Sequence, residues 1–282
     1  MKASKTVWVT GAGGLIGNYV MQSASEDYTP MGLRRENMDL LDHREVERQF
    51  NTDTPDAVIH CAAISSNPLC QENPELAQKT NVDATRHLAA LAESIPFIFI
   101  SSDLVFDGKK GAYIESDLPN PLSKYSETKL EAETHVLKNK NHTIIRTSLN
   151  GGQSPTGNRG FNENLRGIIR AGKTMNLFTD EYRSPISAKV TALALWEILN
   201  QNLKGIIHLA GTERLSRFAI GTLLTNHWDE GTGQIKASAM KDYEGPPRAP
   251  DTSLCCKKLQ AKLSFPLPRF SDWLKEHPAE PF

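Results

Sequence analysis

A glycine-spaced turn between a strand and a helix, close to the start of the chain, is the feature that most constrains the fold. Thr6–Thr10 (TVWVT) reads as a buried strand, and an apolar-periodic helix begins at about Leu15. Between them Gly11, Gly14 and Gly17 recur every third residue, with Gly13 added and Leu15 and Ile16 completing the turn. This spacing swings a strand sharply into a helix and lets the backbone approach a pyrophosphate at the positive helix N-terminus. Tight turns also use glycine for its freedom alone. The placement straight after a first strand favours the ligand reading, and it makes Gly11, Gly13, Gly14, Leu15, Ile16 and Gly17 candidate cofactor contacts.

Strand and helix signals then alternate. Tyr28–Leu33, Ala57–Cys61, Phe97–Ser101 and Thr143–Arg146 read as strands, and Pro74–Glu93 and Pro121–Leu137 as helices. Such alternation implies βαβ units and a parallel sheet covered on both faces. Past Gly151 the texture changes. Gly151–Gly160 is rich in Gly, Ser, Pro and Asn, Ser187–Leu199 reads as a helix, Gly205–Leu209 as a strand, and 229–253 as turns. The expected architecture is α/β: a Rossmann-type doubly wound parallel sheet over 1–150, with returns near 184–210, and a smaller C-terminal substrate lobe over 151–282.

The second strand of such a sheet ends near the cofactor's adenosine ribose, where an acidic residue reads a free 2′-hydroxyl. This chain carries Arg34 and Arg35 there. Guanidinium groups pair with a 2′-phosphate, so the expected cofactor is NADP(H). A solvated basic turn is the bland alternative.

Tyr125 and Lys129 stand four apart in a predicted helix and so share one face. A nearby ammonium favours phenolate and would lower a phenol whose ordinary pKa is about 10. The spacing is common by chance. It gains weight from Ser101, Ser102 and Asp103 at the end of the fourth predicted strand, because open parallel sheets bind ligands beyond the carboxyl ends of their strands. A hydroxyl there can hydrogen-bond a carbonyl.

Composition excludes several classes. With 32 Lys and Arg against 33 Asp and Glu in 282 residues, the chain lacks the basic excess of a nucleic-acid binder. No apolar stretch is long enough to span a bilayer, and Met1–Lys5 leads straight into a strand, so neither a membrane span nor a signal peptide is expected and a cytoplasmic location is. Four cysteines, at 61, 70, 255 and 256, show no metal-ligand spacing and read as reduced thiols. Eight histidines lack HxH or HExxH spacing, and His60 reads as packed rather than catalytic.

The ordered set Gly11-x-x-Gly14-x-x-Gly17, Asp39–Leu40, Cys61–Ala62–Ala63, Asn81–Val82, Ser101–Ser102–Asp103, Val105–Gly108, Tyr125-x-x-x-Lys129 and Arg146–Thr147–Ser148 resembles the extended short-chain dehydrogenase/reductases. Within them it looks most like the dTDP-4-dehydrorhamnose reductase group. The stretches SSDLVFDG and PLSKYSETK carry most of the likeness, and a late Arg248…Leu254 segment extends it. The resemblance implies that Tyr125 donates a proton, that Lys129 holds the nicotinamide ribose, and that Ser102 polarises the carbonyl. It implies that Asn81 supports a proton relay, that Asp39 and Leu40 flank the adenine, and that Cys61, Ala62 and Ala63 run along the cofactor. It also implies a homodimer through helices that include the Tyr125 segment.

Leu104 and Leu149 stand where the rhamnose-pathway reductases commonly carry Tyr and Trp, which opens the question of the sugar. Asn18 and Tyr19 follow Gly17 where some members place a magnesium-binding glutamate, so no metal site is expected. Asp103, Arg159, Asn162, Arg183 and Arg248 are candidate substrate contacts, since guanidinium suits a diphosphate or carboxylate. The leading expectation is NADPH-dependent reduction of a keto group on a nucleotide-linked sugar. Two alternatives stay open: a non-catalytic NADP-binding partner resembling the methionine adenosyltransferase β subunit, and a sugar-nucleotide epimerase or dehydratase.

Overall fold

The computed structural model describes residues 4–280 and 282. Strand β1 (Lys5–Thr10) leads through the glycine turn into α1 (Leu15–Gln22), then β2 (Tyr28–Leu33), α2 (His43–Asp53) and β3 (Ala57–His60). Helices α3 (Asn67–Glu72), α4 (Pro74–Gln78) and α5 (Ala84–Leu91) precede β4 (Phe97–Ser102), α6 (Lys124–Val136) and β5 (Thr143–Thr147). The second half runs β6 (Asn150–Gly151), α7 (Phe161–Arg170), β7 (Met175–Phe178), β8 (Tyr182–Arg183), β9 (Ile186–Ser187), α8 (Ala188–Asn200), β10 (Gly205–Leu209), β11 (Leu215–Ser216), α9 (Arg217–Trp228), β12 (Ile235–Ser238), α10 (Lys257–Gln260) and α11 (Phe270–Glu276).

Six strands form one parallel sheet in the order β10-β5-β4-β3-β1-β2. The chain steps outward from β1 to β2, then reverses to β3 on the other side. That reversal is the crevice where such sheets bind ligands. Alternate residues of each strand enter opposite cores, as the two-residue period demands. Val7, Val9, Ile59, Ile98, Ile100 and Ile145 pack on the face with α1 and α8. Trp8, Val58, Phe97, Phe99 and Ile144 pack on the face with α2, α5 and α6, against Val46, Leu88, Ala132 and Val136. Both faces are covered, which is why these strands are apolar throughout.

The second half contributes α8 and β10 to this layer. Beside it lies a satellite in which β7 pairs with β12 and β8 with β11. Leu165 and Ile169 of α7 and Ile220 and Leu224 of α9 continue the α1-side core into it.

The expectation of one helix over Pro74–Glu93 needs correction. Lys79–Asp83 forms a π-helical turn between α4 and α5. Such a turn inserts one extra residue per turn and rotates the side chains after it. The helix expected from Pro121 starts at Lys124, because Ser123 caps it: its hydroxyl accepts from Ser126 N while Ser126 Oγ accepts from Ser123 N. The region 229–253 contains the short strand β12 among its turns. All four cysteines are free thiols, and among the described residues no helix is long and apolar enough to cross a membrane.

Candidate active site

A cleft of about 800 Å³ runs along the carboxyl ends of the central strands. At one end lies the glycine turn. Gly11 has φ +66°, and a Cβ there would stand 2.7 Å from Ala62 N, so the turn presses on the loop after β3. A Cβ on Gly17 would meet Gly11 O at 2.3 Å. Gly13 differs: its Cβ would meet only the Arg34 side-chain stem at 3.9 Å and otherwise open space in the cleft. Packing therefore demands glycine at 11 and 17, while Gly13 leaves room for something outside the chain. Gly14 caps α1 with no side-chain bond to the first turn, leaving those amides free for an anion. Arg34, Arg35, Asp39 and Leu40 line the rim beyond, and Asn37 Oδ1 fixes the basic turn by accepting from Arg34 N at 2.7 Å.

Ser102 ends β4, and Tyr125 lies in the first turn of α6 above it. The Ser102 hydroxyl accepts from Leu104 N at 3.2 Å and donates to Asp103 Oδ1 at 3.3 Å. Burial pushes the Tyr125 phenol well above its ordinary range, the Ser102 hydroxyl draws it down, and Asp103 raises it again. This corrects the expectation of a phenol lowered by Lys129: desolvation of the phenolate outweighs any attraction to the ammonium. The result is a protonated phenol, the form a proton donor needs.

Lys129 is 2% exposed, with Nζ 3.9 Å from the centroid of the Phe99 ring. Burial pulls it down to about 7, opposed by Glu133, Cys61 and Cys70. One helical turn on, Glu133 forms a buried ion pair with Arg146 at 2.7 Å and accepts from Ser101 Oγ at 2.6 Å.

The π turn gives Asn81 a supporting position. Its side chain accepts from Ile64 N at 2.8 Å and donates to Ile64 O at 3.1 Å and to Thr128 Oγ1 at 3.0 Å. Thr128 donates in turn to Tyr125 O at 2.7 Å. Asn81 thus ties the loop after β3 to the helix turn that carries Tyr125. His60 is fixed in one tautomer. Thr85 Oγ1 donates to Asn81 O, so it accepts from His60 Nε2, which leaves Nδ1 to accept from Thr10 Oγ1 at 2.6 Å. Burial holds this imidazole neutral, with its pKa down to about 3.

The opposite wall is charged. Glu181 is fully buried and accepts from Arg248 Nε at 2.7 Å and Nη2 at 3.0 Å, with Arg183 Nη2 at 3.0 Å. Its carboxyl lies below the usual range: burial raises it, and Arg183, Arg248 and Arg217 together outweigh that. Asp103 is 4% exposed and accepts from Ser148 Oγ at 2.7 Å and Thr252 Oγ1 at 2.9 Å. Arg217 begins α9, its guanidinium 4.0 Å from the Phe161 ring centroid.

A family model described as the RmlD substrate binding domain matches residues 5–280. The chain belongs to that family. It is similar to the dTDP-4-dehydrorhamnose reductase of Sinorhizobium fredii, at 32% identity over 279 residues, covering 94% of this chain and 93% of that one. It is also similar to the methionine adenosyltransferase 2 subunit beta of Xenopus laevis, at 29% identity over 274 residues, covering 91% and 82%. The crystal structure of dTDP-4-dehydrorhamnose reductase from Bacillus anthracis in complex with NADP shares the fold, with a TM-score of 0.90 at 20% identity over 97% of this chain and 98% of that one.

Within this RmlD-family cleft the structure gathers Gly11, Gly13, Gly14, Leu15, Ile16, Gly17, Arg34, Arg35, Asp39, Leu40, Cys61, Ala62, Ala63, Ser102, Asp103, Tyr125, Lys129, Arg159, Arg183 and Arg248. Leu104 and Leu149 line it as well. Two expected residues lie elsewhere. Asn81 is buried beneath, held by the bonds above. Asn162 is 2% exposed and donates to Gly152 O at 2.8 Å, behind the cleft wall. Glu181 and Arg217 escaped the sequence reading. The alternation Asp180–Glu181–Tyr182–Arg183 and the cap Ser216 before an apolar-periodic run were the signals available for them.

Proposed function

We propose that the chain is an NADPH-dependent reductase of a keto group on a nucleotide-linked sugar. The observation that carries this is the meeting of Ser102 and Tyr125 at the carboxyl end of β4, in the same cleft that the Gly11–Gly17 turn closes. The fit to NADP rests on three features of this chain: open space at Gly13, the uncapped first turn of α1, and two exposed arginines at the end of β2. Gly11–Gly17 would take the pyrophosphate, Arg34 and Arg35 the 2′-phosphate, Asp39 and Leu40 the adenine, and Lys129 the nicotinamide ribose. When bound, the reduced nicotinamide supplies hydride.

The chain's own residues supply the rest. The Ser102 hydroxyl donates to the substrate carbonyl oxygen and orients it. The protonated Tyr125 phenol delivers its proton to that oxygen as negative charge develops there. The Lys129 ammonium stabilises the phenolate left behind, and Glu133 helps keep that ammonium charged. The arginines opposite receive the substrate's anionic part. Residues 1–150 thus supply the cofactor side and 151–282 most of the substrate side.

The test is NADPH oxidation against a panel of 4-keto sugar nucleotides, with Tyr125→Phe as control. Loss of a general acid lowers turnover by about 10²–10⁴-fold while NADPH binding persists. The likeness to a methionine adenosyltransferase subunit supports a second reading as a partner protein. That reading gains if wild type and Tyr125→Phe are equally inert while both bind NADPH.

A further inference from the structure

The arginines on the substrate wall are unequal. Arg183 is engaged within the protein: Nη1 donates to Thr252 Oγ1 at 2.6 Å and to the carbonyls of Tyr182 and Ala249 at 3.2 and 3.4 Å, and Nη2 pairs with Glu181 at 3.0 Å. Arg248 presents a two-pronged fork to the same carboxylate, the strongest geometry available to it. Three guanidiniums face two buried carboxylates, Glu181 and Asp103, so one positive charge is uncompensated. That charge belongs to Arg217. Among the described residues its nearest carboxylate oxygen is Glu181 Oε1, at 4.0 Å, beyond hydrogen-bond reach.

Arg217 is nonetheless held in place. Its backbone N donates to Glu181 O at 2.8 Å, and its neighbours Leu215 and Ser216 pair with Arg183 and Tyr182. Its side chain is 16% exposed, faces the cleft, and lies over the Phe161 ring. A fixed cation with free donors is poised for an incoming anion, because little ordering remains to be done on binding.

Resting on the reductase reading, we infer that Arg217 takes the substrate's diphosphate, and that Glu181 holds Arg183 and Arg248 as a frame around it. Arg217 then sets the preference for a diphosphate-linked sugar over a neutral one. Glu181 is a positioning residue, since its carboxylate engages the arginines and no ligand.

The experiment titrates thymidine diphosphate, inorganic pyrophosphate and plain thymidine into protein preloaded with NADP⁺, so that the glycine turn does not compete for the anion. Arg217→Gln is expected to weaken both diphosphates about tenfold to hundredfold, the worth of charge-assisted hydrogen bonds. Its NADP⁺ affinity should match wild type, and its thymidine affinity should not change. Arg86→Gln removes the same charge from an exposed helix face outside the cleft and should move diphosphate binding less than about twofold. Equal losses in the two variants, or no loss in Arg217→Gln, overturn the inference. Should Arg217→Gln fail to fold, Arg217→Lys decides: it keeps charge without the planar fork, so weakened binding supports the assignment and wild-type binding overturns it. A protein that binds both ligands yet never oxidises NADPH refutes the reductase reading alone. A reductase whose KM is unmoved by Arg217→Gln refutes this inference alone.

Discussion

The Glu133 carboxylate and the Arg146 guanidinium meet at 2.7 Å where solvent barely reaches, one helical turn past Lys129. Arg146 also donates through Nε at 3.0 and 3.2 Å, and Ser101 completes the carboxylate's shell. Removing one member of such a pair leaves the other charge buried and uncompensated, at a cost of about 3–5 kcal/mol. Glu133 also favours the charged form of Lys129. Glu133→Gln should therefore lower stability by about 3–5 kcal/mol in urea melts and shift the alkaline limb of the reductase pH profile to lower pH. A stability loss with an unmoved profile would limit Glu133 to the fold.

Lys129 makes activity and stability respond to pH in opposite directions. Burial lowers its pKa from 10.5 to about 7. The groups facing it are Glu133 on its own helix, Cys61 and His60 from the β3 side, and Cys70 from α3. The ammonium is present below that value, so kcat/KM of the free protein should fall as pH rises through about 7. In the unfolded chain the amine keeps its proton up to its ordinary value. Between the two values the unfolded state binds more protons, so stability should rise with pH. Lys129→Met should abolish both slopes, as followed by initial rates and by urea midpoints between pH 6 and 10.

The parts of the fold legible in the sequence were those written in period and position. The apolar strands and the glycine turn lie where their patterns put them, because the inner strands β3, β4 and β5 are buried on both faces. Helix α2 was not read from the sequence: only Val46 in it is buried, with Phe50 partly so, and the segment is polar nearly throughout. The π turn was invisible, since no residue type marks it. The nucleotide end of the cleft follows from local spacing. The anion wall does not, because Glu181, Arg217 and Arg248 meet through β8–β11 pairing and a distant loop.

Gly13 and Gly17 separate the demands of ligand and fold. A Cβ at Gly17 would strike Gly11 O at 2.3 Å, a backbone atom that cannot swing aside. Gly17→Ala should lose about 1–3 kcal/mol of stability or more, seen as a lower melting temperature. A Cβ at Gly13 meets no backbone and projects into the cleft. Gly13→Ala should melt within about 0.5 kcal/mol of wild type yet bind NADPH more weakly. A Gly13→Ala protein with undiminished NADPH affinity would place the pyrophosphate elsewhere.

Arg34 and Arg35 form the exposed rim at the end of β2, the strand next to the glycine turn. Their backbone is braced by Asn37, so substitution of the side chains leaves the turn intact. A 2′-phosphate would meet both guanidiniums, whereas a 2′-hydroxyl offers them little. At this exposed, screened rim the two charge-assisted contacts together contribute about 1.5–3 kcal/mol. Arg34→Ser with Arg35→Ser should cut the ratio of NADPH to NADH efficiency by about tenfold to hundredfold. The fall should come through KM for NADPH, with kcat held, because these groups lie far from the reacting carbonyl and contribute binding equally in ground and transition states. Rising salt should erode the wild-type preference and not that of the double variant, since exposed charges are screened. A double variant that keeps its NADPH preference would move 2′-phosphate recognition away from this turn.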